Sequence, residues 1–422
     1  MIATVDQASA FLDALLARLY SPERGAPVPI ALTDDPALIR HILGQPDIFV
    51  KNYAFLEALA RGRFTSNGAD WRQRAALTQA WYRNAPREIG ADSARAIYHK
   101  HLAPGSRLDG AALFQRFNDA AVEIFSLAVG LPQALAWPAE LIDASRAALK
   151  ISQWIDWNGC TAPELARVRA ELAGLRDTLR AIWHGHDATR ALLADLSGRA
   201  GQGDPIDGFD AAQELFQAVL ASSESTSSSL LWAAETLSRQ PAVQSRLAAD
   251  PSGVERFIAE VLRMFPPVPF LTRRCTAAHR FGAHAWDQGA VLSISIVGMH
   301  RHPDHWRAPQ CFDADRPEYD SGATPPAYLP FSRGERACAG IRLAKLELRA
   351  GLEALLALRR CDAGAAPTRF RYGLSSYPDT ALEAHSRRAP AMGGAGATIR
   401  SGPADTLSWH PLAPPQPGPA AD

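Results

Sequence analysis

The chain of 422 residues carries 44 basic and 44 acidic side chains, a formal net charge of zero, so no general nucleic-acid surface is expected. Its five cysteines show neither CxxC spacing nor pairing with histidines at zinc-ligand intervals, which argues against a disulfide scaffold or a structural zinc site and favours a reducing compartment. No apolar run reaches about 18 residues and no charged-then-apolar leader opens the chain, so a cytoplasmic protein without a membrane anchor is expected.

Apolar residues recurring at i, i+3 and i+4 predict helices over Ala8 to Leu19, Ala111 to Val129, Pro163 to Trp183, Phe209 to Arg239, Pro251 to Met264 and Ile341 to Leu358. Strand signals are few: Pro29-Ile30-Ala31-Leu32, and the period-two run from Ala290 to Ile296, which together suit a small sheet. The expected architecture is mainly α with minor β, as a single domain over residues 1–388. Residues 389–422 are dense in Ala, Gly and Pro, cannot bury a core and are expected to form a disordered tail. Lysine occurs only at 51, 100, 150 and 345, a bias towards arginine that fits a GC-rich bacterial gene.

Three segments within this frame carry chemistry. In the helix predicted over 209–239, Ala221-Ser222-Ser223-Glu224-Ser225-Thr226 sets hydroxyls and one acid at the centre of an apolar run. Hydroxyls there can bond back to the i−4 carbonyl and bend the helix, opening a groove. Further on, Glu260-Val261-Leu262-Arg263 places an acid and an arginine on one helical face, just before Pro266-Pro267 ends the helix. Most informative is Phe331-Ser332-Arg333-Gly334-Glu335-Arg336-Ala337-Cys338-Ala339-Gly340, directly ahead of the last predicted helix. A cysteine at that point has backbone N–H groups and a positive helix end to hold it as a thiolate, the form that ligates iron. Gly334 and Gly340 allow turns and close approach, Phe331 shields the sulfur, and Arg336 offers a forked donor for a carboxylate.

The spaced set Phe331, Gly334, Arg336, Cys338 and Gly340 resembles the heme-binding signature of the cytochrome P-450 family, with no fixed position missing. Glu260 and Arg263 match the family's E-x-x-R. Phe312-Asp313-Ala314-Asp315-Arg316-Pro317 resembles its meander, where Arg316 would complete a buried, structural Glu-Arg-Arg cluster. The resemblance implies heme b with Cys338 as the axial ligand. It also implies carboxylate contacts from Arg273, with Arg274 as the alternative, and from Trp71 and Arg74. The family's basic residue four positions after this Trp is here Ala75, with Arg74 one step early. In the distal helix, Ser222 stands for the usual glycine and Ser225 for the usual threonine, while Glu224 and Ser225 keep an acid and a hydroxyl for proton delivery and Thr226 can substitute for Ser225.

What the resemblance implies is a monooxygenase that inserts one oxygen atom from dioxygen into a mainly hydrophobic small molecule of bacterial secondary metabolism. Substrate contacts are expected from Ala221, Ser222, Val268, Phe270 and Leu374, and from the segment between Phe55 and Phe64. No flavin or iron–sulfur segment is present, so electrons from NAD(P)H would arrive through a separate ferredoxin and ferredoxin reductase. Arg72, Arg74, Arg333, Arg342 and Lys345 form the expected docking patch on a monomer. Alternative readings keep the heme but catalyse desaturation or oxidative coupling, or make the chain a non-catalytic heme sensor.

Overall fold

The periodic segments read above become helices that share one core, and the polar residues between them build a cavity beside it. The computed structural model describes residues 5–20, 32–52, 60–103, 107–158, 161–320, 325–364, 368–372, 375–386 and 407–408. The helices are α1 (Val5–Leu19), α2 (Pro36–Leu43), α3 (Gly68–Arg83), α4 (Ala85–Leu102), α5 (Gly110–Ala128), α6 (Ala139–Asn158), α7 (Ala162–His184), α8 (Asp187–Ala200), α9 (Ala211–Arg239), α10 (Pro241–Ala249), α11 (Val254–Met264), α12 (Ile296–His300) and α13 (Ile341–Leu358). The strands are β1 (Leu32–Thr33), β2 (Phe49–Lys51), β3 (Arg107–Asp109), β4 (Phe270–Cys275), β5 (His279–Phe281), β6 (His284–Trp286), β7 (Val291–Ser295), β8 (Cys311–Phe312), β9 (Arg359–Asp362), β10 (Arg369–Tyr372), β11 (Ser376–Asp379), β12 (Glu383–Ser386) and β13 (Leu407–Ser408). The architecture is mainly α with minor β, as expected.

The long helix α9 is the axis of the core. Asp210 caps it, its carboxylate accepting the Ala212 and Gln213 N–H groups at 2.9 and 3.2 Å. Most of its length is buried on more than one face, so it needs cover on all sides. Its Trp232 stacks on Phe265 with ring centroids 4.3 Å apart, and Tyr20 of the α1 end stacks on Phe370 at 4.2 Å. Helix α11 is preceded by a 3-10 turn at Pro251–Gly253 rather than running unbroken from Pro251, and it stops at Phe265, ahead of Pro266-Pro267.

The main sheet has the order β1-β7-β4-β2. The alternating run from Ala290 to Ile296 supplies β7, whose residue Ser293 pairs in parallel with Leu32; positions 29–31 of the segment read with it lie outside the described residues. Strand β4 was not foreseen, and its register with β2 sets Lys51 directly opposite Arg273. Of the C-terminal segment 389–422, only Leu407–Ser408 is described, and it pairs with β8. Among the described residues, no helix is long and apolar enough to cross a membrane.

Candidate active site

The cysteine loop folds back on itself before α13 begins. The Cys338 N–H donates to the Phe331 carbonyl at 2.9 Å and the Ala337 N–H to the Gly334 carbonyl at 3.1 Å. Gly334 has φ +73°, and a Cβ there would lie 2.9 Å from the Leu43 carbonyl oxygen of α2, so the turn and the close approach both require glycine. Gly340 has φ −88° and a Cβ there would make only ordinary contacts, so its backbone is not a steric necessity. The Cys338 side chain is exposed to a cavity of about 330 Å³. Burial pushes its thiol above the ordinary value, against the Gly340 N–H and the charges of Lys51 and Arg63. The protein alone therefore favours the neutral thiol, and a bound cation is what would hold the thiolate.

Helix α9 forms another wall of this cavity, and β4 with the preceding proline turn a third. The structure brings Trp71, Ala221, Ser222, Glu224, Ser225, Thr226, Val268, Phe270, Arg273, Phe331, Arg336, Cys338 and Gly340 onto these walls. Leu374 and residues 55–59 lie outside the described residues. Arg74 is turned away: its fully buried guanidinium donates to Asp70, Glu214 and the Asp207 carbonyl, and it does not reach the cavity. Sequence offered no sign of this, because Glu214 and Asp207 are far along the chain. The expected docking patch also shrinks, since Arg72 donates to Asp47 at 2.9 Å and to Glu335 at 3.2 Å.

Cations gather at one edge of the cavity. Lys51 and Arg273 face each other across β2 and β4, and Arg336 joins them on the cavity wall. Arg336 lies over the Trp71 ring, 4.4 Å from its centroid, and donates to Asn67 Oδ1 and the Ser66 carbonyl at 3.2 and 2.8 Å. Asn67 in turn accepts the Lys51 N–H at 3.0 Å, which ties the three positions together. Burial and the neighbouring Arg336 and Arg273 hold the Lys51 ammonium well below its ordinary value. Like charges set directly opposite on a sheet are unfavourable. Their gathering suits an anionic ligand with more than one carboxylate.

On the α9 wall, hydroxyls bond back to the helix as expected, Ser225 to Ala221 O at 3.3 Å, Ser227 to Ser223 O at 2.7 Å and Ser222 to Val219 O at 2.9 Å. The helix nevertheless runs unbroken from Ala211 to Arg239. Glu224 is ion-paired with Arg146 of α6, and burial pushes its carboxyl up despite that partner. Thr226 Oγ1 donates to Glu347 Oε2 of α13 at 3.3 Å. Lys51, Arg63, Arg146 and Glu347 were all missed in the sequence. Only Glu347 left a local signal there, an acid four residues past Leu343 on a buried stripe.

Behind the cysteine loop, one buried carboxylate gathers two arginines. Glu260 accepts from Arg263 at 2.7 and 2.8 Å, from Arg316 at 2.8 Å, and from the Asp313 N–H and Tyr319 hydroxyl at 2.8 Å each. Arg263 also donates to the His300 carbonyl at 3.0 Å, and the His300 ring accepts the Leu329 N–H at 2.9 Å, two residues before Phe331. The arginine pair thus abuts the strand of chain that leads to Cys338.

A mainly helical fold with a cysteine facing an internal cavity and a cationic rim suits an anionic ligand that a cysteine sulfur can hold. Comparison with known proteins makes this specific. The sequence pattern described as cytochrome P450 matches residues 184–362, so that part of the chain is similar to the cytochrome P450 family, whose members hold heme iron. Cyclooctatin synthase of Streptomyces melanosporofaciens is 28% identical over 364 residues, covering 75% of this chain and 77% of that protein. The probable cytochrome P450 6t1 of Drosophila melanogaster is 32% identical over 174 residues, 34% of this chain. The chain aligns with only 33% of that relative's length. CYP175A1 of Thermus thermophilus, 21% identical, superposes with a TM-score of 0.67 over 92% of this chain and 99% of its own, which shows the shared fold. The site fits heme: the sulfur faces the cavity, and the gathered cations match two porphyrin carboxylates.

Proposed function

We propose that this protein is a heme-thiolate monooxygenase acting on a mainly hydrophobic small molecule. The observation that carries this reading is the Cys338 side chain in one cavity wall, with the acid and hydroxyls of α9 in another and three cations at the rim. Cys338 would ligate the iron, and Arg336, Arg273, Lys51 and Trp71 would hold the porphyrin carboxylates. Phe331 and Gly340 border the sulfur, while Gly334 sets the turn. When bound, the heme supplies reductive activation of dioxygen, with one oxygen atom entering the substrate and the other leaving as water.

The chain's own part is to bind, orient and supply protons. Ala221, Ser222, Val268 and Phe270 give the substrate an apolar wall with a few hydroxyls. Glu224, held up by burial, with the Ser225 and Thr226 hydroxyls, offers protons to this wall. The likeness to cyclooctatin synthase over three quarters of both chains supports a role in bacterial secondary metabolism. Electrons would come from NAD(P)H through a ferredoxin and its reductase, docking near Arg333, Arg342 and Lys345.

The test is the carbon monoxide difference spectrum of the dithionite-reduced protein and of Cys338→Ser. A far-red-shifted Soret band in the wild type that is lost in the variant is expected. A histidine-type band, or no heme at all, refutes the reading.

A further inference from the structure

Beside the main cavity lies a second, smaller one of about 10 Å³, where α6 and α7 pack against α9. Leu141 and Ile142 of α6 and Leu175 and Leu179 of α7 give it an apolar lining. Phe216 and Leu220 of α9 line both cavities, so the two spaces share a partition made of side chains one helical turn apart. We propose that the side cavity is a subsite for the end of the substrate remote from the oxidised carbon, taking an apolar terminus that carries a hydrogen-bond acceptor such as a hydroxyl or carbonyl oxygen; this rests on the monooxygenase reading.

The acceptor is called for by Trp137, which borders the side cavity. Its indole N–H is buried and has no hydrogen-bond partner, although a buried indole N–H ordinarily finds one. Trp183 shows the ordinary case, donating to the Ala136 carbonyl at 2.9 Å. Trp137 is held between two rings, stacked on Trp183 with centroids 6.2 Å apart and tilted against Phe216 at 5.5 Å. Arg176 completes the wall, and its positive charge favours an acceptor over a donor there. An N–H fixed beside an apolar space the size of one terminal group recognises a single acceptor atom at the end of an apolar chain.

Helix α9 sets the scale. It lines the main cavity from Glu214 to Ser229, and along its axis Phe216 stands about 14 Å from Ser225. A substrate that presents one end to the hydroxyl wall therefore reaches the partition only if it is elongated, and a compact molecule leaves the side cavity unfilled. The Phe216 ring has to turn about its side-chain torsions to admit the chain end. Phe216 and Leu220 are then the residues that set specificity for length, and Trp137 the one that sets it for the terminal group.

The test titrates the heme-loaded protein with 1-alkylimidazoles from butyl to dodecyl and with their ω-hydroxy counterparts, reading the Soret shift as the imidazole ligates the iron. In the wild type the terminal hydroxyl should strengthen binding by roughly two- to tenfold, and only over a narrow range of the longer chains. Trp137→Phe should abolish that gain and leave the alkyl series unchanged. Leu175→Trp, which fills the side cavity, should weaken the long members of both series by roughly tenfold or more and leave 1-butylimidazole unchanged. Phe216→Ala, which opens the partition, should strengthen the longest members. Where Leu175→Trp fails to fold, Trp137→Phe and Phe216→Ala carry the measurement. The proposal alone is overturned, with a normal carbon monoxide band, by the lack of a hydroxyl gain at every length, by a gain that survives in Trp137→Phe, or by long-chain affinities unchanged in Phe216→Ala. A wild type with neither that band nor a Soret shift removes the monooxygenase reading and this proposal with it.

Discussion

Replacing Glu260 with glutamine tests what the buried cluster contributes. Glu260 and Arg263 are 0% exposed and Arg316 is 2% exposed. The wild-type carboxylate accepts five hydrogen bonds, four of them from the two arginines and the Asp313 N–H. Glutamine keeps the shape but removes the carboxylate charge that both arginines touch and turns an NH2 group towards donors. Two guanidinium groups then stay buried with backbone carbonyls but without their shared carboxylate, at a cost of about 3–5 kcal/mol. Against a total stability on the order of 5–15 kcal/mol this is about a fifth or more. Urea unfolding followed by tryptophan fluorescence measures it, with Asp315→Asn as the control. That residue pairs with Arg246 at 3.4 Å with both side chains more than half exposed, so its loss should cost less than about 1 kcal/mol. Because Arg263 binds the His300 carbonyl and the His300 ring binds the Leu329 N–H, Glu260→Gln should also release heme faster. A Glu260→Gln protein within about 1 kcal/mol of wild type would refute the assignment of a structural role.

Gly334→Ala should cost about 1–3 kcal/mol, through its positive φ and the 2.9 Å approach to the Leu43 carbonyl, and should lower heme occupancy more than Gly340→Ala does; unfolding midpoints and heme absorbance per protein check both. The pH dependence of stability should carry a His300 component. Burial and the nearby Arg263 and Arg301 charges push this imidazole down to about 3, so its neutral form is the folded one. That contribution is whole above the unfolded value near 6.5 and is lost as pH falls towards 3, amounting to about 2 kcal/mol between pH 7 and pH 5. His300→Gln should flatten the wild-type slope by that amount in urea titrations at the two pH values; an unchanged slope would contradict it.

How far the sequence could be read depended on whether a residue's partner was near it in the chain or only in space. The cysteine loop was legible because its turn, its sulfur and the helix that follows are local, and α13 runs from Ile341 to Leu358 as its apolar stripe predicts. Glu260 and Arg263 were legible as a pair for the same reason. Helix α3 was read only from its start at Trp71 to Arg74 and not from an apolar stripe, because its buried positions include Arg74 and Thr78, polar groups satisfied by residues such as Glu214 that only the fold brings near. The same cause misplaced Arg74 at the cofactor and hid Lys51, whose meeting with Arg273 is a matter of strand register. Glu224 was found as an acid at the centre of a helix, yet its clamp comes from Arg146, 78 residues away. A motif therefore marks groups that are close in the chain, whereas the groups that set charge around them come from distant segments. In this cavity the acid that the sequence points to, Glu224, is held by Arg146 of α6, and the Thr226 hydroxyl beside it is bonded to Glu347 of α13, so both partners come from elements far along the chain.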